Sequence, residues 1–339
     1  MRRIELDILK GILIMLVVIG HALDNMTEAH KIIFWFHMPA FLMVSGFLLN
    51  DQKVNGDRIK QICIRYCVPY FSWNILFYVL FLPEHPIKNM ARIIWGGINN
   101  TTVYSYPFWY INAIFVIIVL FTLVFMALDR LIFRRETQIG IYFDEIYNKR
   151  QKAFHWVLGI IAASCYILVH VIPLKESIPI RLPFSLDAAI GCIPYVYIGY
   201  CLKRGGYRYS YPIICLFPLF FVPLQLTGKI DYVINLKQIE YSHWLLDIII
   251  PVSFTLALYW ISLLLRNSLV GKSLCALGEC SLTIFFIHAA VLYVFREYSI
   301  VGAIALALLL GWIIQKFSRQ NRILSFLFLG IYKKEKKQQ

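Results

Sequence analysis

The sequence predicts an all-α integral membrane protein: a bundle of about ten transmembrane helices with both termini in the cytoplasm. Three observations carry this reading. Hydrophobic residues make up 60% of the 339 positions and charged residues only 15%, too little polar surface for a fold of this size in water. Apolar runs of membrane-spanning length recur along the whole chain. Lys and Arg cluster between alternate runs, as they do in cytoplasmic loops. The net charge of +14 therefore reports topology and does not point to a nucleic-acid partner.

Ten runs qualify, at 8–23, 31–49, 62–82, 107–128, 154–172, 184–202, 211–226, 244–265, 279–295 and 299–317. The first follows Arg2 and Arg3, the layout of a leader peptide. Asp7 and Lys10 interrupt its approach, and no small-x-small site precedes a soluble domain, so it reads as an uncleaved first span. The second carries His37 and Pro39. The third opens with Arg65, then Pro69, Tyr70, Trp73 and Asn74. The fourth opens with Trp109, Tyr110 and Asn112. Asp187, Asp247 and His288 fall in the sixth, eighth and ninth, and Glu279 starts the ninth. The longest connections, 83–106 and 129–153, leave no room for a soluble domain. The expected organisation is a membrane unit over 1–317 and a basic cytoplasmic tail over 318–339, with a short interfacial helix at 323–331. The eight cysteines show neither a CxxC pair nor zinc spacing with histidine, so they read as small apolar fillers and no metal is expected.

With the N-terminus inside, the inner segments hold 22 Lys and Arg and the outer ones 7. That bias orients the chain. The 21 Tyr and 8 Trp, many near the ends of runs, suit an interfacial belt.

Ionisable groups inside a span are expensive unless they face protein or water, which makes them candidates for function. Lys10 and His21 are eleven residues apart, close to three helical turns. They share one face, about 16 Å apart along the axis, with Lys10 inward and His21 outward. The second span runs back toward the cytoplasm, so His37 lies in its outer half at the depth of His21. Pro39 frees a backbone carbonyl nearby. Arg65, at the inner end of the third span, suits phosphate groups. Blander roles compete at each position. Lys10 and Arg65 can snorkel to headgroups, His21 can be interfacial, and His37 and His288 can be hydrogen-bonded core histidines. Glu279 can serve a helix N-terminus.

Several motifs are shared with a known family. They are Arg3-Ile-x-x-Asp7-x-x-Lys10-Gly11-Ile12, Gly20-His21, Phe36-His37-Met38-Pro39-Ala40-Phe41 and Ser45-Gly46-Phe47-Leu48. Weaker matches are Arg65-Tyr66-x-x-Pro69-Tyr70, Phe108-Trp109-Tyr110-Ile111, Gly199-Tyr200-x-Leu202 and Gly278-x-x-Ser281-Leu282-x-Ile284 leading to His288. In this set the chain resembles bacterial acyltransferase family 3, in the flavour of polysaccharide and fucose 4-O-acetylase-like O-acetyltransferases. The resemblance implies ten core spans in the cell membrane. It implies transfer of an acyl group, usually acetyl from acetyl-CoA, to a hydroxyl of an envelope glycan or lipid-linked sugar. The family's basic-x10-His motif maps onto Lys10 and His21, with Lys where members often have Arg.

On that basis His21 is expected as general base or acyl carrier, and His37 as its orienting or acceptor-binding partner. Lys10 and Arg65 would hold the coenzyme A phosphates, and Trp109 and Asn112 the acceptor. The expected partners are the lipid bilayer and the glycan, with homo-oligomers or envelope-glycan assembly proteins left open. A proton-coupled transporter also places His, Lys and Asp within spans, but predicts repeated halves, and no repeat relates 1–170 to 171–339. A structural or lipid-binding protein would need none of the histidines. A haem protein would use His21 and His37 as axial ligands, without other support in the chain.

Overall fold

The computed structural model describes residues 3–49, 56–82, 84–97, 102, 104–137, 143–172, 181–204 and 212–332. Arg2, Lys53, Lys175, Arg208 and the tail beyond 332, all part of the charge count, lie outside them. Among the described residues the architecture is all-α apart from one small hairpin. Five of the helices described are long and apolar enough to cross a membrane: Tyr106–Ile132, Asn148–Val171, Pro183–Arg204, Leu246–Leu264 and Ile300–Gln320. A sixth arises if Leu269–Glu279 and Ser281–Phe295, bent by 77° at Cys280, count as one span.

The other four runs take forms their residues explain. The first is helix α1, Ile4–Ala22, whose opening turns carry Glu5, Asp7 and Lys10. The second is broken. It forms α2, Glu28–Phe34, and α3, His37–Phe47, of 7 and 11 residues, each too short to span about 30 Å of hydrocarbon at 1.5 Å per residue. Trp35 and Phe36 separate them, Phe36 at φ −138° and ψ −21°. Pro39 therefore sits in the first turn of a new helix, where a missing N–H is harmless, and does not kink a continuous span. The third run is α4, Gly56–Phe81, followed by α5, Pro86–Trp95. The seventh divides into Pro212–Cys215 and Phe217–Leu226, the latter opened by Pro218.

The remaining helices are α6 (Trp109–Thr137), α7 (Phe143–Val171), α8 (Leu186–Arg204), α9 (Pro212–Cys215), α10 (Phe217–Leu226), α11 (Leu246–Leu264), α12 (Leu269–Glu279), α13 (Ser281–Phe295), α14 (Ile300–Gln320) and α15 (Arg322–Leu329). The last is the short helix expected after the final span. The α12 segment, expected as a cytoplasmic loop, is instead a helix packed along α1. Its N-cap Ser268 accepts from the Gly271 backbone N–H.

Two glycine pairs let helices meet backbone to backbone. At the α1–α12 crossing a Cβ added to Gly11 would lie 1.9 Å from the Leu274 carbonyl oxygen, and one on Gly278 would lie 1.8 Å from that of Asp7. At the α3–α8 crossing a Cβ added to Gly46 would lie 1.8 Å from the Val196 carbonyl oxygen, and one on Gly199 would lie 1.9 Å from that of Met43. Small residues at such contacts are what apolar solvent rewards, since packing alone drives association there. Gly46→Ala is expected to destabilise the protein by about 1–3 kcal/mol through overpacking, read as a lower melting temperature in detergent. An unchanged melting temperature would show that α3 and α8 part at no cost.

Between α10 and α11 the strands β1, Ile234–Asn235, and β2, Glu240–Tyr241, pair antiparallel. The base of this hairpin is anchored. Trp35 Nε1 donates to the Tyr232 carbonyl oxygen at 2.7 Å, and Tyr195 donates to the Asp247 carbonyl oxygen at 2.6 Å. The Asp247 carboxylate, fully buried, takes His170 Nε2 at 3.0 Å and the His243 backbone N–H at 3.1 Å. Asp247 thus finds its partners on α7 and in the loop before α11.

Candidate active site

The C-terminal end of α1, the α2–α3 break and the middle of α13 bring three imidazoles together. The ring of His21 lies 5.2 Å from that of His288, stacked at 29°, and 6.4 Å from that of His37. The two histidines expected at equal depth do meet. His288, left open between core and site by the sequence, is the third. His37 and His288 are buried, whereas His21 is partly open.

Main-chain carbonyls set the proton positions on the two buried rings. His37 Nδ1 lies 2.8 Å from the Ile33 carbonyl oxygen, and His288 Nδ1 lies 2.8 Å from that of Phe285. A carbonyl oxygen only accepts, so each Nδ1 carries the hydrogen when the ring is neutral, and each Nε2 keeps its lone pair. The same turn-back contact occurs within unbroken helix at His170, whose Nδ1 lies 2.8 Å from the Tyr166 carbonyl oxygen. His288 Nε2 is buried without a hydrogen-bond partner among the described residues. Among the described residues neither His21 nitrogen is hydrogen-bonded; its contacts are rings, Phe34 at 5.3 Å and Tyr106 at 5.2 Å besides the histidines. Gly20, one residue before His21, gives its carbonyl to His30 Nδ1 at 2.8 Å, which ties α2 against α1.

A cation completes the cluster. The Lys237 ammonium sits 5.2 Å from the Tyr106 ring centroid, on the side chain that also flanks His21. Lys237 occupies the β1–β2 turn, which Gln238 braces by donating its backbone N–H to Asn235 Oδ1 at 3.2 Å and accepting from Arg181 at 3.2 Å. Ile239 closes that turn at φ +60°, a left-handed conformation costly for a β-branched residue and one that the surrounding contacts must hold. Among the described residues no carboxylate pairs with Lys237. Burial pushes its pKa below the ordinary lysine value.

The other residues singled out from sequence lie elsewhere. Lys10 shares the α1 face as predicted, but its ammonium is 2.6 Å from Asp7 Oδ1, with the side chains 22% and 12% exposed. Arg65 is exposed on α4, its backbone against Gly330 after α15, and α4 is not among the main packing partners of α1. Trp109 and Asn112 are buried at the start of α6. Asn112 lies beside Gly96, where an added Cβ would come within 2.8 Å of its amide nitrogen, and not among the histidines. Sequence reasoning missed Tyr106 and Lys237. The signal for Lys237 was faint: it is one of few cations in segments that the charge count places outside. Among the described residues no group of three or more His, Cys, Asp or Glu side chains is arranged to hold a metal ion.

A family model described as "Acyltransferase domain" matches residues 3–332, nearly the whole chain. The chain is similar to Nodulation protein NolL of Sinorhizobium fredii (strain NBRC 101917 / NGR234), with 37% identity over 92 residues, 22% of this chain and 24% of that protein. It is similar also to Nodulation protein NolL of Mesorhizobium japonicum (strain LMG 29417 / CECT 9101 / MAFF 303099), with 29% identity over 137 residues, 35% of each chain. These matches span well under half the length of either curated relative. No solved structure matches the chain significantly.

Proposed function

The chain belongs to the acyltransferase family whose model spans it, and from that premise we propose that it is a multi-pass O-acyltransferase of the cell membrane. It moves an acetyl group from acetyl-CoA to a hydroxyl of an envelope glycan or lipid-linked sugar. The observation that carries this reading is the convergence of three imidazoles beside the Lys237 ammonium, which no carboxylate among the described residues pairs. Transfer to an alcohol needs a proton acceptor for the hydroxyl and a positive partner for the tetrahedral oxyanion.

His21 is the base. It takes the proton as the acceptor oxygen attacks the thioester carbonyl. Negative charge moves onto that carbonyl oxygen and is held by Lys237. Collapse forms the ester and breaks the carbon–sulfur bond, and the proton on His21 passes to the departing thiolate. His37 and His288, each fixed as the Nδ1–H tautomer, pack around His21 and set its ring plane. Lys10 is already neutralised by Asp7, so it lines the donor's approach along α1 and does not grip a phosphate. Asn112, its amide nitrogen without a partner among the described residues, and Trp109 remain acceptor-side candidates away from the reacting atoms.

The charge asymmetry supports both termini in the cytoplasm and about ten crossings, with the broken α2–α3 pair and the short α9 and α10 as incomplete ones. Activity and orientation are tested together with radiolabelled acetyl-CoA. Inverted membrane vesicles, which expose the cytoplasmic face, should incorporate label into glycan, and sealed right-side-out vesicles should not. Label in neither preparation, with no shift of one acetyl unit in any envelope glycan on deletion, would end the proposal.

A further inference from the structure

At the opposite end of α1 from His21 the structure holds a cleft of about 860 Å³, within the range of small-molecule sites. Its walls come from the ends of four helices: Ile4 opening α1, Arg266 just past α11, Lys272 on α12, and Lys316 and Arg319 on α14. One carboxylate, Glu279, joins the lining, and Arg319 sits 3.4 Å from it. Lys316 lies over the Trp312 ring at 5.1 Å. Among the described residues no carboxylate pairs with Arg266, Lys272 or Lys316. Four cations around one carboxylate in a concave site make a receptor for several phosphate charges at once.

The floor of the cleft connects it to the chemistry. Cys280 lines it at the 77° bend, and α13 starts there. His288 follows eight residues later, about 12 Å along that helix. Gln315 braces the floor by donating to the Glu279 carbonyl oxygen at 3.3 Å and accepting from Thr283. We propose that this cleft is the site for the phosphate-bearing nucleotide end of the acyl donor, with the acyl end extending along α13 and α1 to the histidines. The inference rests on the acyltransferase reading. The same phosphate chemistry has a second source, the headgroup of an anionic lipid, because the cleft opens at helix ends where headgroups lie.

The test uses full-length protein in nanodiscs of phosphatidylcholine alone, with coenzyme A as the probe, binding followed by calorimetry and acetyl transfer assayed in parallel. Losing two cations in Arg266→Gln/Lys272→Gln is expected to weaken coenzyme A by roughly tenfold or more. Adenosine 3′,5′-bisphosphate should compete in the unaltered protein and lose its effect in the variant. Lys272→Arg, which keeps the charge, should bind within about threefold of the unaltered protein, and all three proteins should melt alike. A second arm adds phosphatidylglycerol. If coenzyme A affinity is the same in every variant and only retention of phosphatidylglycerol is lost, the phosphate is a lipid's and the donor site is overturned. Transfer by the unaltered protein together with unchanged coenzyme A binding in the variants sinks the cleft alone. Weakened binding without any transfer sinks the acyltransferase reading and leaves the cleft. No coenzyme A binding by the unaltered protein overturns both.

Discussion

His21→Ala is expected to lower acetyl transfer by about 10²–10⁴-fold, the span usual for loss of a general base, with no change in membrane insertion or abundance. The contrast follows from its surroundings. The His21 ring is partly open, packs against other rings and makes no hydrogen bond among the described residues, so its removal strands no buried donor or acceptor there and costs little stability. His37→Ala and His288→Ala each remove the partner of a main-chain carbonyl and leave a hole in packed core, so they should lose stability along with activity. Initial rates per mole of purified protein, beside melting curves, separate the cases. An undiminished rate in well-inserted His21→Ala protein would remove the base from the mechanism.

Lys237→Met should lower kcat by about 10²–10³-fold, the loss seen when one donor to a developing oxyanion is taken away, with KM for the donor little changed. Methionine keeps most of the length of the stem and deletes the charge. Lys237→Arg should retain most of the rate. The pH profile adds a sign. Burial lowers the Lys237 pKa, so the ammonium is intact at low pH and is lost as pH rises through that lowered value. The alkaline fall in activity should therefore begin below the ordinary lysine range, and Lys237→Arg should move it upward, because a guanidinium stays protonated. A profile that is the same with arginine at 237 would show that another group governs the fall, and a Lys237→Met rate within twofold would dismiss the oxyanion role.

Local rules carried a good part of this molecule. Helical periodicity alone placed Lys10 and His21 on one face, and short-loop reasoning brought His21 and His37 to one depth, where the rings do meet. Asp187, placed in the sixth run, takes Arg181 just before its own helix at 3.2 Å. The failures share a cause. The break at Trp35–Phe36 lies inside an unbroken apolar run, and hydropathy does not register a helix end that tertiary packing creates. The segment 266–278 reads as a loop because it holds Arg266 and Lys272, yet Gly11 and Gly278 let it dock on α1. The pairing of His288 with His21, and of Lys237 with Tyr106, joins positions far apart in the chain. No pattern along the sequence encodes those distances.

The proton positions on His37 and His288 are written by carbonyl oxygens of Ile33 and Phe285, and every amino acid brings the same oxygen. The side chains at 33 and 285 can therefore drift through many hydrophobic choices while the imidazoles keep their tautomers. What must be inherited is a helical turn before each histidine, and the packing that turns each ring back onto it. A chemical requirement has been stored in backbone geometry, where substitutions at the positions that satisfy it leave no mark.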